Sequence, residues 1–205
     1  TLRMTAELTA GDYGRKDARF GVSGPFSDRF GAQLSLLSRQ RDGYDRNLVD
    51  GSRVNDQDVM AGRVALQFRP TETIDAILAY DKVRERSTPG YATGLTLQPP
   101  GGLGAFNASD QIDGDRDVHT LRSDLLNPIN DLDQQGASLT LTWKASSVTV
   151  KSISAWREMS NVLLLDADGQ DTCFGLPLPC LHLFQDQMQD QLSQELQLQG
   201  TLLDN

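Results

Sequence analysis

Apolar and polar residues alternate along most of this chain with a period of two. In "ARFGVSGPFSDRFGAQLSL", Ala18 to Leu36, one parity carries Phe20, Val22 and Phe26, then Phe30, Ala32, Leu34 and Leu36 beyond the turn-like Ser27 to Arg29. The other parity carries Arg19, Gly21, Ser23, Gly31, Gln33 and Ser35. That is a β-hairpin with one apolar and one wet face. The pattern recurs. Leu2, Met4, Ala6 and Leu8 lie opposite Arg3 and Glu7; Met60, Val64, Leu66 and Phe68 opposite Arg63, Gln67 and Arg69; Ile74, Ala76, Leu78 and Tyr80 opposite Asp75 and Asp81. Ala137, Leu139, Leu141 and Trp143 alternate with Ser138, Thr140, Thr142 and Lys144. Val148 to Met159 follows, and then Leu192, Leu196 and Leu198 against Ser193, Glu195, Gln197 and Gln199. About eight strands result, each near the ~10 residues of a tilted membrane-spanning strand.

The connections carry further information. Three are about three residues long, "SDR", "TET" and "ASS", and all fall at one end of the sheet. At the other end are a short tip around Asp12 and three long stretches: Asp42 to Asp58, Ser87 to about Gln134, and Ser160 to Asp186. Greek-key sandwiches mix connection lengths at both ends, whereas outer-membrane barrels pair short periplasmic turns with long extracellular loops. Aromatic placement agrees. Phe26, Phe30, Phe68 and Trp143 sit on the apolar parity beside the short turns, where one girdle would lie, and Trp156 lies eight residues beyond Val148, roughly 20 Å along a barrel axis. These aromatics also suit the strand ends of a packed sheet core.

Composition fits either architecture. The chain has 205 residues, 38% hydrophobic and 23% charged, and a net charge of −9 that argues against nucleic acid or an anionic surface held by a basic patch. No window supplies the ~18 consecutive apolar residues of a transmembrane helix, and "TLRMTAELTA" lacks the regions of a signal peptide. Those observations exclude a helical membrane protein and leave a β-barrel open. Cys173 and Cys180, in the Pro-rich "CFGLPLPC", read as a local disulfide and an oxidising compartment.

The phrases "DARFGVSGPFSDRFGAQLSLLSRQRDGY", "AGRVALQFRPTETIDAILAYDKVRE" and "QDQLSQELQLQG" resemble the first part of the barrel of TonB-dependent outer-membrane receptors of Gram-negative bacteria. The resemblance runs over nearly the whole chain and is weakest in the long loops. It implies an all-β, antiparallel up-and-down transmembrane β-barrel, with about eight strands of a 22-stranded whole. Residues 1–205 would be a partial barrel domain, the plug and remaining strands absent, in the bacterial outer membrane. The chain ends at Asn205 without the terminal aromatic of such barrels, which fits a fragment. Implied partners are TonB, through an absent N-terminal region, a ferric siderophore or other small ligand, and outer-membrane lipid and lipopolysaccharide. Iron would arrive inside the ligand, so no cofactor is implied. Cobalamin or oligosaccharide uptake is possible within the same family.

No catalytic or metal-binding constellation stands out, and no enzyme activity is assigned. His119 and His182 fall in the two longest loops, outside any metal-binding spacing. Asp110, Asp113, Asp115 and Asp117 form an acidic loop without the register of a calcium site. Tyr44, Arg46, Tyr91, Phe106 and Phe174 are the candidate ligand-binding residues, because aromatics and Arg carry recognition at low entropic cost. A Cys173–Cys180 bridge would stiffen the loop holding Phe174. Lys82, Arg84 and Arg86 continue one parity beyond Tyr80 and either meet lipopolysaccharide phosphate or end a solvated strand. The rival architecture is a soluble or surface-exposed β-sandwich that binds carbohydrate or adheres to partners, its apolar parities buried against a second sheet; a passive porin is a third.

Overall fold

A computed structural model of the chain describes residues 1–90, 119–167 and 182–200. Eight long strands form one antiparallel sheet: β1 (Arg3–Gly11), β2 (Arg15–Pro25), β3 (Phe30–Arg41), β6 (Gln57–Phe68), β7 (Ile74–Ser87), β9 (Ile129–Lys144), β10 (Val148–Asp166) and β11 (His182–Gly200). They lie side by side in chain order, the up-and-down topology expected from the connections. Three short strands, β4 (Asp45–Asn47), β5 (Arg53–Val54) and β8 (Thr120–Leu121), make a second sheet in the order β5-β4-β8. Among the described residues no helix is long and apolar enough to cross a membrane, which says nothing of strands.

Side-chain chemistry at each short turn explains where the chain reverses. Ser27 Oγ accepts from the N–H groups of Arg29 (3.3 Å) and Phe30 (3.1 Å), so the hydroxyl substitutes for ladder partners that a tight turn cannot provide. Thr71 Oγ1 does the same for the N–H of Ile74 at 3.2 Å. The third turn closes with Ala145 N–H on the carbonyl of Val148, 2.8 Å.

Register then sorts the faces. Phe30 pairs with Phe68, Phe68 with Ala76, Ala76 with Leu141, and Leu141 with Ser152. The row begins at the first residue of β3 and reaches β10 four residues beyond its start at Val148. The sheet is therefore sheared, which is the stagger a tilted barrel wall requires. Phe30 and Phe68 stack with centroids 4.5 Å apart.

The apolar parity is not covered. Leu66, Leu78 and Leu141 are 50%, 52% and 43% exposed, and the buried apolar residues among those described are only Val54, Ala79 and Leu121. No second sheet or helix lies over this face among the described residues, which corrects the β-sandwich alternative: its core would have to sit on these leucines. The opposite parity instead lines a concavity of ≈ 340 Å³ where Arg19, Ser35, Arg63, Asp81 and Arg157 stand beside Leu37, Ala61 and Val83. There Arg157 on β10 reaches across β9 to Asp81 on β7, with Nη1 to Oδ2 2.6 Å and Nη2 to Oδ1 3.2 Å. Arg63 of β6 meets the same carboxylate at 3.2 Å. The crossing is possible because the β9 residue on that row is Gly136, where a Cβ would stand 2.8 Å from Arg157 Cδ.

Several strands run past their alternating segments. β9 begins at Ile129, well before Ala137, and β10 continues to Asp166. In "INDLDQQG", Ile129 to Gly136, polar residues occupy both parities, so no period of two marks the strand although the ladder continues. His182, expected in a loop, opens β11, and its Nε2 lies 2.8 Å from Asp124 Oδ1.

If hydrocarbon solvates the apolar face, Leu78→Arg lowers the stability of the bilayer-folded protein by about 2–4 kcal/mol. Thr140→Arg, on the opposite parity, changes it by under about 1 kcal/mol. Urea unfolding of both variants in lipid vesicles checks this; equal losses would contradict the facial assignment.

Candidate functional site

The long-connection end of the sheet carries a compact loop cluster. Residues 42–56, expected to be an irregular connection, form a small hairpin of β4 and β5, with Gly51 at φ +78° in its turn. The sequence signal for that hairpin is the pair Asp50-Gly51. Asp50 Oδ1 accepts from Ser52 N–H (2.9 Å) and Ser52 Oγ–H (2.7 Å), and these bonds hold its carboxyl below the ordinary range.

Asn47 ties this hairpin to residues 119–125. Its side chain is fully buried; Nδ2 donates to the carbonyl of Ser123 (2.9 Å), while Oδ1 accepts from the N–H groups of Ser123 (3.2 Å) and Val49 (3.1 Å). Arg46 N–H donates to His119 O and Leu48 N–H to Leu121 O, both 2.8 Å. Val54, Leu121 and Leu125 supply the apolar packing beside this polar hub. Gly43 allows the chain to close, since a Cβ there would lie 2.4 Å from Val54 O.

Around the hub stands a group of aromatic and cationic side chains. Tyr44 meets Tyr13 edge-on with centroids 6.2 Å apart, and His119 edge-on at 5.4 Å. The Arg41 guanidinium lies 4.3 Å from the Tyr44 ring centre, and that of Arg53 5.9 Å from Tyr13, within cation–π range. Hydrogen bonds fix the cations: Arg41 Nη2 donates to Asn55 O (2.6 Å) and Arg53 Nη1 to Gly43 O (3.2 Å). Asp45 accepts from Asn55 Nδ2 at 2.9 Å and lies 3.2 Å from His119 Nδ1. His119, half exposed in the loop that the sequence assigns it to, is thus also part of this cluster.

Of the candidate ligand-binding residues, Tyr44 is half-buried within this cluster and Arg46 is exposed on β4 two residues later. Tyr91, Phe106 and Phe174 lie outside the described residues, as do Cys173, Cys180 and the acidic run Asp110, Asp113, Asp115 and Asp117. Sequence reasoning did not single out Tyr13, Arg41, Arg53 or Asn47. Arginine and tyrosine near strand ends carry no periodic signal, and their convergence depends on loops folding back on one another. Among the described residues no group of three or more His, Cys, Asp or Glu side chains could hold a metal ion.

Asn47→Ala removes three hydrogen bonds from a buried hub. It is expected to cost the loop cluster about 1–3 kcal/mol while leaving the eight-stranded sheet intact. Hydrogen exchange would show lost protection at 45–54 and 119–125, with strand protection unchanged.

The chain is similar in fold to solved receptors. It aligns with the ferric yersiniabactin uptake receptor FyuA from Yersinia pestis at TM-score 0.69 and 19% identity, covering 100% of this chain and 29% of that one. The ferric-catecholate import receptor Fiu from E. coli K12, in its closed form, matches at TM-score 0.70 and 16% identity over 98% of this chain and 29% of that one. The siderophore receptor PiuA from Acinetobacter baumannii matches at 0.66 and 11%, over 97% and 27%. The chain thus spans less than a third of the length of these receptors. No family model and no curated protein matches the sequence.

Proposed function

We infer that these eight antiparallel strands are a segment of a larger β-barrel, of the fold seen in siderophore receptors. From this premise we propose that the chain is the first part of the barrel of a TonB-dependent receptor in the bacterial outer membrane. It would serve active uptake of a scarce, bulky nutrient, a ferric siderophore above all. Residues 1–205 form part of the barrel domain. A plug and the remaining strands belong to the parent protein, which engages TonB through a region preceding this one. The iron travels inside the ligand.

The observation that carries this reading is the combination of an uncovered apolar face, an opposite concave face that holds the Arg63–Asp81–Arg157 cluster, and loops gathered at one end. An uncovered apolar sheet face fits hydrocarbon, and a polar lumen fits passage of a hydrated chelate. The Tyr44 cluster fits binding at the mouth. Aromatic rings preset by Arg41, Arg53 and His119 offer rigid contact surface, and the exposed Arg46 offers a charge to an anionic ligand. Recognition and transport need no covalent step.

Deleting the parent gene should abolish growth on one defined ferric siderophore as sole iron source, and a protonophore should block uptake of that chelate by the wild type. Normal growth on every siderophore supplied, or uptake indifferent to the protonophore, would overturn the proposal. In the same assay Arg46→Ala is expected to weaken chelate binding by about tenfold, in line with loss of one charge-assisted contact. Titration of the chelate onto purified receptor reads that change.

A further inference from the structure

The tip between β1 and β2 holds a side chain in a conformation that it does not favour. Arg15 N–H donates to Asp12 O at 3.3 Å, and the two residues enclosed, Tyr13 and Gly14, have φ +57° and +64°. That is the mirror-image hairpin turn, whose first enclosed position suits asparagine or glycine and strains a bulky side chain. Two non-glycine residues among those described lie at positive φ, and they contrast. Asn55, at φ +64°, is a residue type that tolerates the conformation, and its Nδ2 donates to Asp45 at 2.9 Å. Tyr13 is a ring on a backbone suited to asparagine.

Packing does not account for that ring. It is 45% exposed, and its two neighbours stand near the outer limit of their kinds of contact: the Tyr44 ring edge-on at 6.2 Å and the Arg53 guanidinium at 5.9 Å. A second local cost lies beside it. In the ladder of the small hairpin Arg53 is directly opposite Arg46, so two like charges share one face of β4 and β5. Both are exposed; Arg53 gives one donor to Gly43 O, and among the described residues neither guanidinium pairs with a carboxylate. A negative charge between the two arginines cancels their repulsion, and a flat group against Tyr13 uses the ring that the strained turn presents. Where a sequence breaks local rules without local compensation, the fold is holding a function.

Deepening the uptake reading above, on which it rests, we propose that Tyr13, Arg46 and Arg53 select a ligand that carries a negatively charged aromatic ring of the phenolate kind. The ligand's ring stacks on the exposed part of Tyr13, and its oxygens accept from Arg46 and Arg53. Guanidinium groups suit such oxygens, being forked donors that also lie flat on aromatic surfaces. Tyr44 limits the swing of the Tyr13 ring, so part of the ordering cost is met before the ligand arrives. An uncharged chelate with aliphatic arms gains from neither group.

The test titrates full-length receptor, purified from outer membranes, with two probes, a ferric tris-catecholate and a ferric tris-hydroxamate. Wild type is expected to prefer the first. Tyr13→Asn places the residue that the turn favours, so its thermal midpoint should equal or exceed that of wild type, while its affinity for the tris-catecholate falls about tenfold. Tyr13→Phe, which keeps the ring, should hold that affinity to within about twofold and serves if the asparagine variant does not fold; Arg53→Gln should lower it. Hydrogen exchange at residues 42–56 is expected to be unchanged in Tyr13→Asn, whereas a ring that only supported the loop cluster would lose protection there. Wild-type affinity in Tyr13→Asn, lost protection alongside lost affinity, or a wild type that favours the tris-hydroxamate or binds neither probe would overturn the proposal. A gene deletion that spares growth on every siderophore would overturn the uptake reading instead.

Discussion

The sheet has almost no interior, and that constraint governs everything else about it. With Val54, Ala79 and Leu121 as the buried apolar residues among those described, burial of side chains against one another cannot hold the strands together. The backbone ladder does so, running without interruption across the eight long strands from β1 to β11. In water such a sheet would expose its leucines on one side. In hydrocarbon the same ladder becomes obligatory, because an unpaired N–H or C=O there costs several kcal/mol. Even the polar groups on the outward parity follow that rule: Gln194 lies between Ser154, which donates to it, and Ser152, to which its Nε2 donates at 2.9 Å.

Much of this was legible in the sequence because a barrel wall is a two-faced object with a period of two. The hairpin at Phe20 to Leu36, the turn at Ser27 to Arg29 and the Trp143 strand needed only alternation and turn chemistry. Alternation fails in the polar "INDLDQQG" that starts β9 at Ile129 and in the apolar run Val162 to Leu165 that carries β10 to Asp166, since in neither does one parity differ from the other. Register was equally hidden. Nothing local in the chain says that Gly136 lies between Asp81 and Arg157, since that row is set by the pairing of three strands.

The candidate site was legible only in part for a related reason. Tyr44 and Arg46 are conspicuous as residue types, but the group that orders them is Asn47, a buried amide whose partners at Ser123 lie 76 residues away. A single Asn in a polar segment carries no such message. The two faces of the wall also divide charge differently. Inward, Arg63 and Arg157 converge on one carboxylate; outward, charge begins only beyond the Tyr80 row.

Strand length rises steadily across the sheet, from nine residues in β1 to nineteen in β10 and β11. With ~3.3 Å per residue and a barrel tilt, the ten-residue difference raises one flank by on the order of 20 Å. If these strands are a barrel wall, this arc of its rim is a sloping parapet, tall on the β10–β11 flank and low at β1, and approach along it is asymmetric.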